Sequence, residues 1–475
     1  MTADTIPDKA SFFTKIAYGS GATAFGIKDA GFNYFILIYY NQVLGLDAFL
    51  AGLALALAVA IDAISDLLIG YISDHWRSRL GRRHPFMYGA VIPVALTFFW
   101  LWNPPEVISN DKMWLFFYLL TMAVLVRSCI TFFEVPNAAQ GPELTRNYDD
   151  RTSLMAFRYV FGWLGGLSMT VLTLSVLIPM DPDGQMGATG YKWLGITGSL
   201  AMFVMMIASA LGTHQQISEF YKPSRPMHFG PQVILRNFTG LFSNRSFNSV
   251  FASSLFFGAA AGLSQALVVY VSTYFWLLTP QQIAMVPALG ILAVPAAFLI
   301  APLLAKHLDK RRAAIAVYAF AIGFMPLAFA AKLTDIFPAN DSGWYLPLIL
   351  AHYLIETTAL ISMQIIFASM NVDVVDDRSA ETAGTRDEGL IFAARNFSKK
   401  AVSGIGVLLA GVILWLASFP EKARPEDIAP GLAEDMVLAY LPILLVLYAV
   451  SCFALKFYAI DRDRHASNLQ QQTDA

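Results

Sequence analysis

The stretch Phe49-Leu-Ala-Gly-Leu-Ala-Leu-Ala-Leu-Ala-Val-Ala-Ile-Asp62-Ala-Ile-Ser-Asp66-Leu-Leu-Ile-Gly-Tyr71 decides how the chain is read. It is apolar over the roughly 20 residues that a bilayer crossing needs, yet it carries two aspartates. A carboxylate near the bilayer centre costs roughly 2.5 to 3.5 kcal/mol on insertion scales, so two of them require a compensating partner. The natural partner is a cation. Residues four apart share one face of a helix about 6 Å apart in rise, so both carboxylates can enter one cavity. A chain that holds a cation there is expected to move something across a membrane.

The rest of the chain agrees with that reading. Of its 475 residues 56% are hydrophobic and 14% charged, against about 25% charged in soluble domains. This is the composition of a multi-pass membrane protein. The net charge of -2 leaves no basic surplus for nucleic acid, which is excluded as a partner. Cys129 and Cys452 lie in apolar runs without ligand spacing and read as packing residues. The polar start of the chain and its long first apolar stretch do not resemble a cleavable signal.

Twelve spans are predicted, at 14–44, 48–73, 84–104, 112–138, 153–180, 192–213, 248–276, 280–305, 312–331, 343–371, 388–418 and 434–459. The loops after even-numbered spans hold the basic residues, among them Arg77, Arg79, Arg82, Arg83, Lys306, Lys310, Arg311 and Arg312. By the positive-inside rule both termini are cytoplasmic. The basic loop after span 2 has a shorter counterpart, Lys306-His-Leu-Asp-Lys-Arg-Arg, six spans later. Asp149-Asp-Arg-Thr-Ser-Leu after span 4 similarly pairs with Asp376-Asp-Arg after span 10. The repeat predicts an all-α membrane fold of two six-helix bundles, 1–213 with the cation site and 248–475, with a solute site near the midplane. Residues 214–247 would be a cytoplasmic linker, amphipathic around Val233 to Phe242.

Several polar residues inside spans are candidates for function. Glu134 on span 4 could join Asp62 and Asp66 in a cation site for Na+, Li+ or a proton, since clustered carboxylates hold either. Lys399 and Lys400 on span 11 could occupy the empty site and leave when the cation binds, or snorkel to the interface. Arg127, two turns before Glu134, could fork onto an anionic group of the solute, or pair internally with Glu134 or Asp62. Arg158 is either a solute donor or a gate residue. Lys28 and Asp29 are adjacent and do not share a helix face, so one is expected to point at the cavity as a solute contact. His352 and Glu356, four apart, are expected to form a local pair. Tyr34, Tyr39, Tyr40, Phe161 and Trp163 could stack on a sugar, or serve helix packing. Gly162, Gly165, Gly166, Gly404, Gly406 and Gly411 let backbones approach closely. Nucleotide-binding loops, hydrolase elbows and metal-ligand His/Cys clusters are absent from the sequence, so an enzyme is not expected.

Taken together, Ala63-Ile-Ser-Asp66 through Gly70-Tyr-Ile-Ser-Asp74, Arg77-Ser-Arg-Leu-Gly-Arg-Arg-His-Pro-Phe86, Tyr18-Gly, Glu134-Val-Pro, Asp149-Asp-Arg-Thr and Thr382-Ala-Gly-Thr-Arg-Asp-Glu-Gly389 resemble the glycoside-pentoside-hexuronide:cation symporters. These form the melibiose-permease branch of the major facilitator superfamily. The resemblance implies Na+, Li+ or H+ coupling through Asp62, Asp66 and Glu134, and matches Arg158 and Lys400 to the family's span 5 arginine and span 11 lysine. Asp74, Arg79, Arg82 and Arg83 fall in its span 2 signature, at a cytoplasmic gate. The chain departs from the melibiose type at Ala138, where the family has the sugar-stacking tryptophan, at Gly26, where it has a span 1 acid, at Glu134, where it has Asp, and at Arg127, where it has a small residue. The expected function is an inner-membrane symporter, active as a monomer, that couples Na+ or H+ entry to uptake of a sugar, glycoside, uronide or related solute. A lysolipid transporter of the same fold and a non-transporting receptor or scaffold are the alternatives.

Overall fold

The computed structural model describes residues 10–76, 78–141, 144–145, 148–214, 242, 244–381, 402, 404–429 and 431–460, and all regular structure among them is helical. The principal helices are α1 (Phe12–Ala30), α2 (Ala48–His75), α3 (His84–Trp102), α4 (Lys112–Gln140), α5 (Tyr148–Leu172), α6 (Ala188–Gly212), α7 (Arg245–Tyr270), α8 (Pro280–Ala288), α9 (Gly290–Leu308), α10 (Lys310–Leu333), α11 (Tyr345–Glu381), α12 (Gly404–Leu416) and α13 (Leu432–Ala454). A helix satisfies its own backbone hydrogen bonds, as hydrocarbon demands. Large apolar side chains such as Leu292, Phe298, Leu299 and Leu303 on α9 stand exposed, which suits a surface wetted by lipid tails.

Ten helical stretches among the described residues are long and apolar enough to cross a membrane, which is two fewer than the twelve predicted. The difference has a physical cause at each place. The first predicted span is helical from Phe12 to Val43, but Lys15, Lys28, Asp29 and a run of Gly, Ser and Thr lower its hydropathy. Of the eleventh, 388–418, the described part is mainly the short apolar helix α12. Most of the expected linker, 214–247, lies outside the described residues.

The chain forms two compact units, one of Met1–Met227, Gln265–Tyr270 and Val407–Ile428, the other of His228–Ser264, Val271–Gly406 and Ala429–Ala475. In the first, α1 packs on α5 and α6, and α4 on α2 and α3. Glycine sets the α1–α5 distance. A Cβ on Gly26 would run into the carbonyl oxygen of Gly162 and the backbone of Gly166, and one on Gly165 would strike the backbone of Thr23. No side chain fits at Gly26, so the acid that melibiose-type relatives carry there is sterically shut out. In the second unit α9 and α10 pack on α11, and α13 packs on α10.

The same local device opens both repeats. α1 runs on through π turns to Val43, and Asp47 then caps α2 by accepting from the Leu50 N–H at 3.1 Å. α7 ends in a π turn at Val271–Phe275, and Thr279 caps α8 with Gln282 in a reciprocal capping box. Such caps fix where a helix starts, and hence which residues reach mid-span.

Candidate functional site

In the first unit α2 and α4 bring the span 2 aspartates against one threonine. Thr131 Oγ lies 3.1 Å from Asp62 Oδ1 and 2.9 Å from Asp66 Oδ1. A hydroxyl has one proton to donate, so it can serve only one carboxylate at a time. Arg127, one turn before Thr131 on the same face of α4, places Nη1 3.3 Å from Asp62 Oδ2 and its guanidinium 4.7 Å from the Phe32 ring centre. Asp62 is 2% exposed and Arg127 8%. Of the two internal partners predicted for Arg127, the structure supplies Asp62. A guanidinium already held by a buried carboxylate gives no reason to expect an anionic solute.

Glu134 goes elsewhere. Its Oε1 lies 3.3 Å from Nη2 of Arg158, whose Nη1 donates to Asn137 Oδ1 at 2.5 Å. Asn137 in turn donates to Ser209 Oγ on α6 at 3.3 Å. The expected convergence of Asp62, Asp66 and Glu134 is therefore not assembled, and no trio of acidic or other ligating residues with metal-binding geometry occurs among the described residues. The cause is Arg158, which draws Glu134 toward α5. Two aspartates and Thr131 form one polar centre; Glu134, Arg158 and Asn137 form a second, one turn along α4.

Thr131, Asn137 and Ser209 were not among the residues singled out from sequence. A signal existed for the first: Arg127 and Thr131 are four residues apart and so share one face of their helix.

Other candidates have structural work. Lys28 does reach its neighbour Asp29, at 2.6 Å, because its long stem bends along the helix over the Phe25 ring. That corrects the expectation that adjacent residues stay apart: Lys28 is buried while Asp29 is half exposed. Tyr39 and Tyr40 are fully buried, donate to the Trp102 and Leu101 carbonyl oxygens at 3.0 and 2.8 Å, and belong to a stack in which Tyr39 lies 4.8 Å from Tyr191. They are packing residues, not a sugar platform. Lys399 and Lys400 lie outside the described residues, as does the Asp74 side chain. Of the remaining gate candidates, Arg79 is exposed, Arg82 half-buried and Arg83 buried.

At the start of α5 Asp150 is buried and accepts from the Ala10 N–H at 2.6 Å and from Lys15. Burial alone would raise its pKa, but these donors outweigh it and hold the carboxyl below its ordinary value. Asp181, beyond the end of span 5, behaves alike: burial is overcome by the N–H groups of Asp183 and Thr189, at 3.0 and 2.7 Å.

The described residues form a membrane-spanning helical fold with a buried aspartate–arginine pair in its first unit. The family model described as MFS/sugar transport protein matches residues 17–462, and the chain belongs to that family, the one that includes the glycoside-pentoside-hexuronide:cation symporters. The family consists of transporters, not enzymes, and the chain is a multi-pass membrane protein with a small-molecule substrate. An uncharacterized symporter of Synechocystis is 35% identical over 50% of this chain and 44% of its own length, so the matched stretch spans less than half of that relative. The isoprimeverose transporter of Lactiplantibacillus pentosus is 22% identical over 90% of this chain and 84% of its own. The nucleoside transporter NupG shares the fold, with a TM-score of 0.61 at 11% identity over 95% of this chain and all of the other.

Proposed function

We propose that the chain is a secondary symporter that couples entry of one monovalent cation to uptake of a neutral glycoside or related sugar-like solute by alternating access. The observation that carries this is the single Thr131 hydroxyl between two carboxylates. Asp62 and Asp66 bring two carboxylates to this centre and Arg127 one guanidinium, and a bound Na+ or proton would add positive charge beside the second carboxylate. Neutral is the state that a low-dielectric core favours. In this reading Asp66 and Thr131 take the cation, and Arg127 keeps Asp62 ionised as a fixed ligand. Glu134 acts one turn away, where Arg158 and Asn137 hold it; a solute hydroxyl that displaces one of these contacts would link solute binding to the cation centre. Linkage then makes the coupling reciprocal.

The architecture that suits this reading has twelve spans. The ten apolar helices are joined by Phe12–Val43 and by the stretch that contains α12, giving bundles 1–213 and 248–475 with 214–247 between them. In this reading both termini are cytoplasmic, which the basic loops favour by the positive-inside rule, and the protein works in the inner membrane as a monomer. The test is a thermal-shift screen of the purified protein against neutral sugars, uronides and lysolipids with and without Na+, since a ligand that binds the native state raises stability by mass action. A neutral glycoside that protects more strongly with Na+ or at lower pH is expected. Protection by lysolipid alone would transfer the assignment to an amphiphile carrier. A Na+ effect that persists in Asp66→Asn would remove the cation site from α2.

A further inference from the structure

The second unit contains an ionisable pair that the mechanism above does not use. His352 and Glu356 stand one turn apart on α11, with His352 Nε2 3.9 Å from Glu356 Oε2 and their side chains 6% and 12% exposed. That nitrogen is buried without a hydrogen-bond partner, and the gap is too long for a direct hydrogen bond. The imidazole is stacked on Phe324, 5.1 Å between centres at 20°, and meets Phe329 edge-on at 6.0 Å.

Among the described residues, the groups around Glu356 other than His352 are polar but uncharged. Tyr353 on its own helix and Tyr440 and Tyr448 on α13 lie within electrostatic range of it. Tyr440 is engaged with Ser264 of α7 at 2.9 Å. From α10 come the Phe324 and Phe329 rings. The one cation at that helix's far end, Lys332, donates to Tyr345 at 2.5 Å, sits over the rings of Phe275 and Trp276, and has Glu434 as its acidic neighbour. α8 and α9 carry no ionisable side chain from Pro280 to Ala305. Among the described residues His352 is thus the only basic group paired with Glu356.

We infer that His352 and Glu356 together form a proton-binding site in the second unit, separate from the aspartate centre of α2. With no proton the pair is a bare buried carboxylate beside a neutral imidazole; with two it is a neutral acid beside a bare imidazolium. Both leave an uncompensated charge in an apolar bundle. With one proton the pair is neutral overall, and with that proton on Glu356 neither side chain carries a charge. The proton arrives from water on one side when the pair is hydrated and returns to water when it is hydrated again, so the site changes from -1 to neutral and back with no bond other than O–H or N–H made or broken. Transport would then carry a proton as well as the cation at Asp66, and its driving force would depend on pH even if that cation is Na+.

The inference rests on the symporter reading only for the use made of the proton, and the two are tested by different signals. Infrared difference spectra of the full-length protein in lipid nanodiscs, between mildly acidic and alkaline buffers, should show a buried carboxylic C=O band that disappears on alkalisation. It should be lost in full in Glu356→Gln, persist at a shifted frequency in Glu356→Asp, and persist in Asp66→Asn. In His352→Gln its titration midpoint should move, because the partner that shares the proton is gone. The same band in wild type and Glu356→Gln, an unmoved midpoint in His352→Gln, or a pair with no titrating band would each overturn the site. Should Glu356→Gln fail to fold, the band shift in Glu356→Asp and the midpoint in His352→Gln decide the matter, and an unshifted band in Glu356→Asp overturns the site. Loss of the Na+ thermal shift in Asp66→Asn is read independently, so failure of the α2 site and failure of this one cannot be confused.

Discussion

The two units share a scaffold and differ in chemistry. Each opens with a long helix that ends in a π turn and a side-chain cap, Asp47 in one and Thr279 in the other. Fifteen and nineteen residues beyond Asp47 stand Asp62 and Asp66; the same steps beyond Thr279 reach Val294 and Phe298. The first unit spends its ionisable groups on α2 and α4, with arginine as counter-ion; the second keeps α8 and α9 uncharged as far as Ala305 and places a His–Glu pair on α11 among tyrosines. A repeated fold thus fixes where helices begin and how they pack, while the sign and number of buried charges are set position by position. The aspartate centre has an arginine beside it. A histidine–glutamate pair is neutral with one proton.

The largest test of that contrast is removal of the Asp66 carboxylate. Asp66→Asn should abolish cation-driven accumulation of the solute in vesicles while facilitated exchange continues; uphill uptake at the wild-type level would mean that the first unit is not the coupling site. Next comes the counter-ion. Arg127→Met leaves the Asp62 carboxylate without its partner and should destabilise the protein by about 3 to 5 kcal/mol, and adding Asp62→Asn should recover much of that. Thermal unfolding of the single and double variants decides it, since an unrelieved loss in the double variant would show that Arg127 acts through packing on Phe32 instead.

Packing at the glycine contacts should respond in proportion to their closeness. Gly406→Val, against Ala259 and Leu263, should cost about 1 to 3 kcal/mol by overpacking, and Gly26→Val, whose Cβ would lie far inside contact distance of the Gly162 carbonyl oxygen, should cost more. Equal losses in thermal unfolding of the two variants would show that the α1–α5 contact yields by moving apart. The smallest expected effect is at the start of α5. The folded-state pKa of Asp150 lies below its unfolded value, so the stability it contributes is fully present above about pH 4 and lost as pH falls through the folded value. Unfolding curves of wild type should therefore weaken on acidification by more than those of Asp150→Asn. Equal slopes would assign the acid sensitivity to other carboxylates, such as Asp181.

How far the sequence reached follows from which forces act locally. Hydropathy and turn residues alone located ten of the predicted spans to within a few residues, because a bilayer-crossing helix must be apolar over its own length and no distant partner can excuse it otherwise. Spacing placed Asp62 and Asp66 on one face, and His352 within reach of Glu356, since each pair lies on one helix. What the sequence could not decide was partnership across helices. Glu134 and Thr131 both lie on α4 near the aspartates, and only the packing of α2 and α5 against that helix turns Thr131 to the aspartates and Glu134 to Arg158. The choice of Asp62 as partner for Arg127, the burial of Tyr39 and Tyr40 against Trp102, and the exclusion of any side chain at Gly26 are likewise contacts between segments far apart in the chain. The sequence by itself determined a membrane-spanning helical transporter with costly charges in its core; the tertiary structure decided which of those charges neutralise one another, because charge compensation depends on distances of a few ångströms between helices that sequence spacing does not encode.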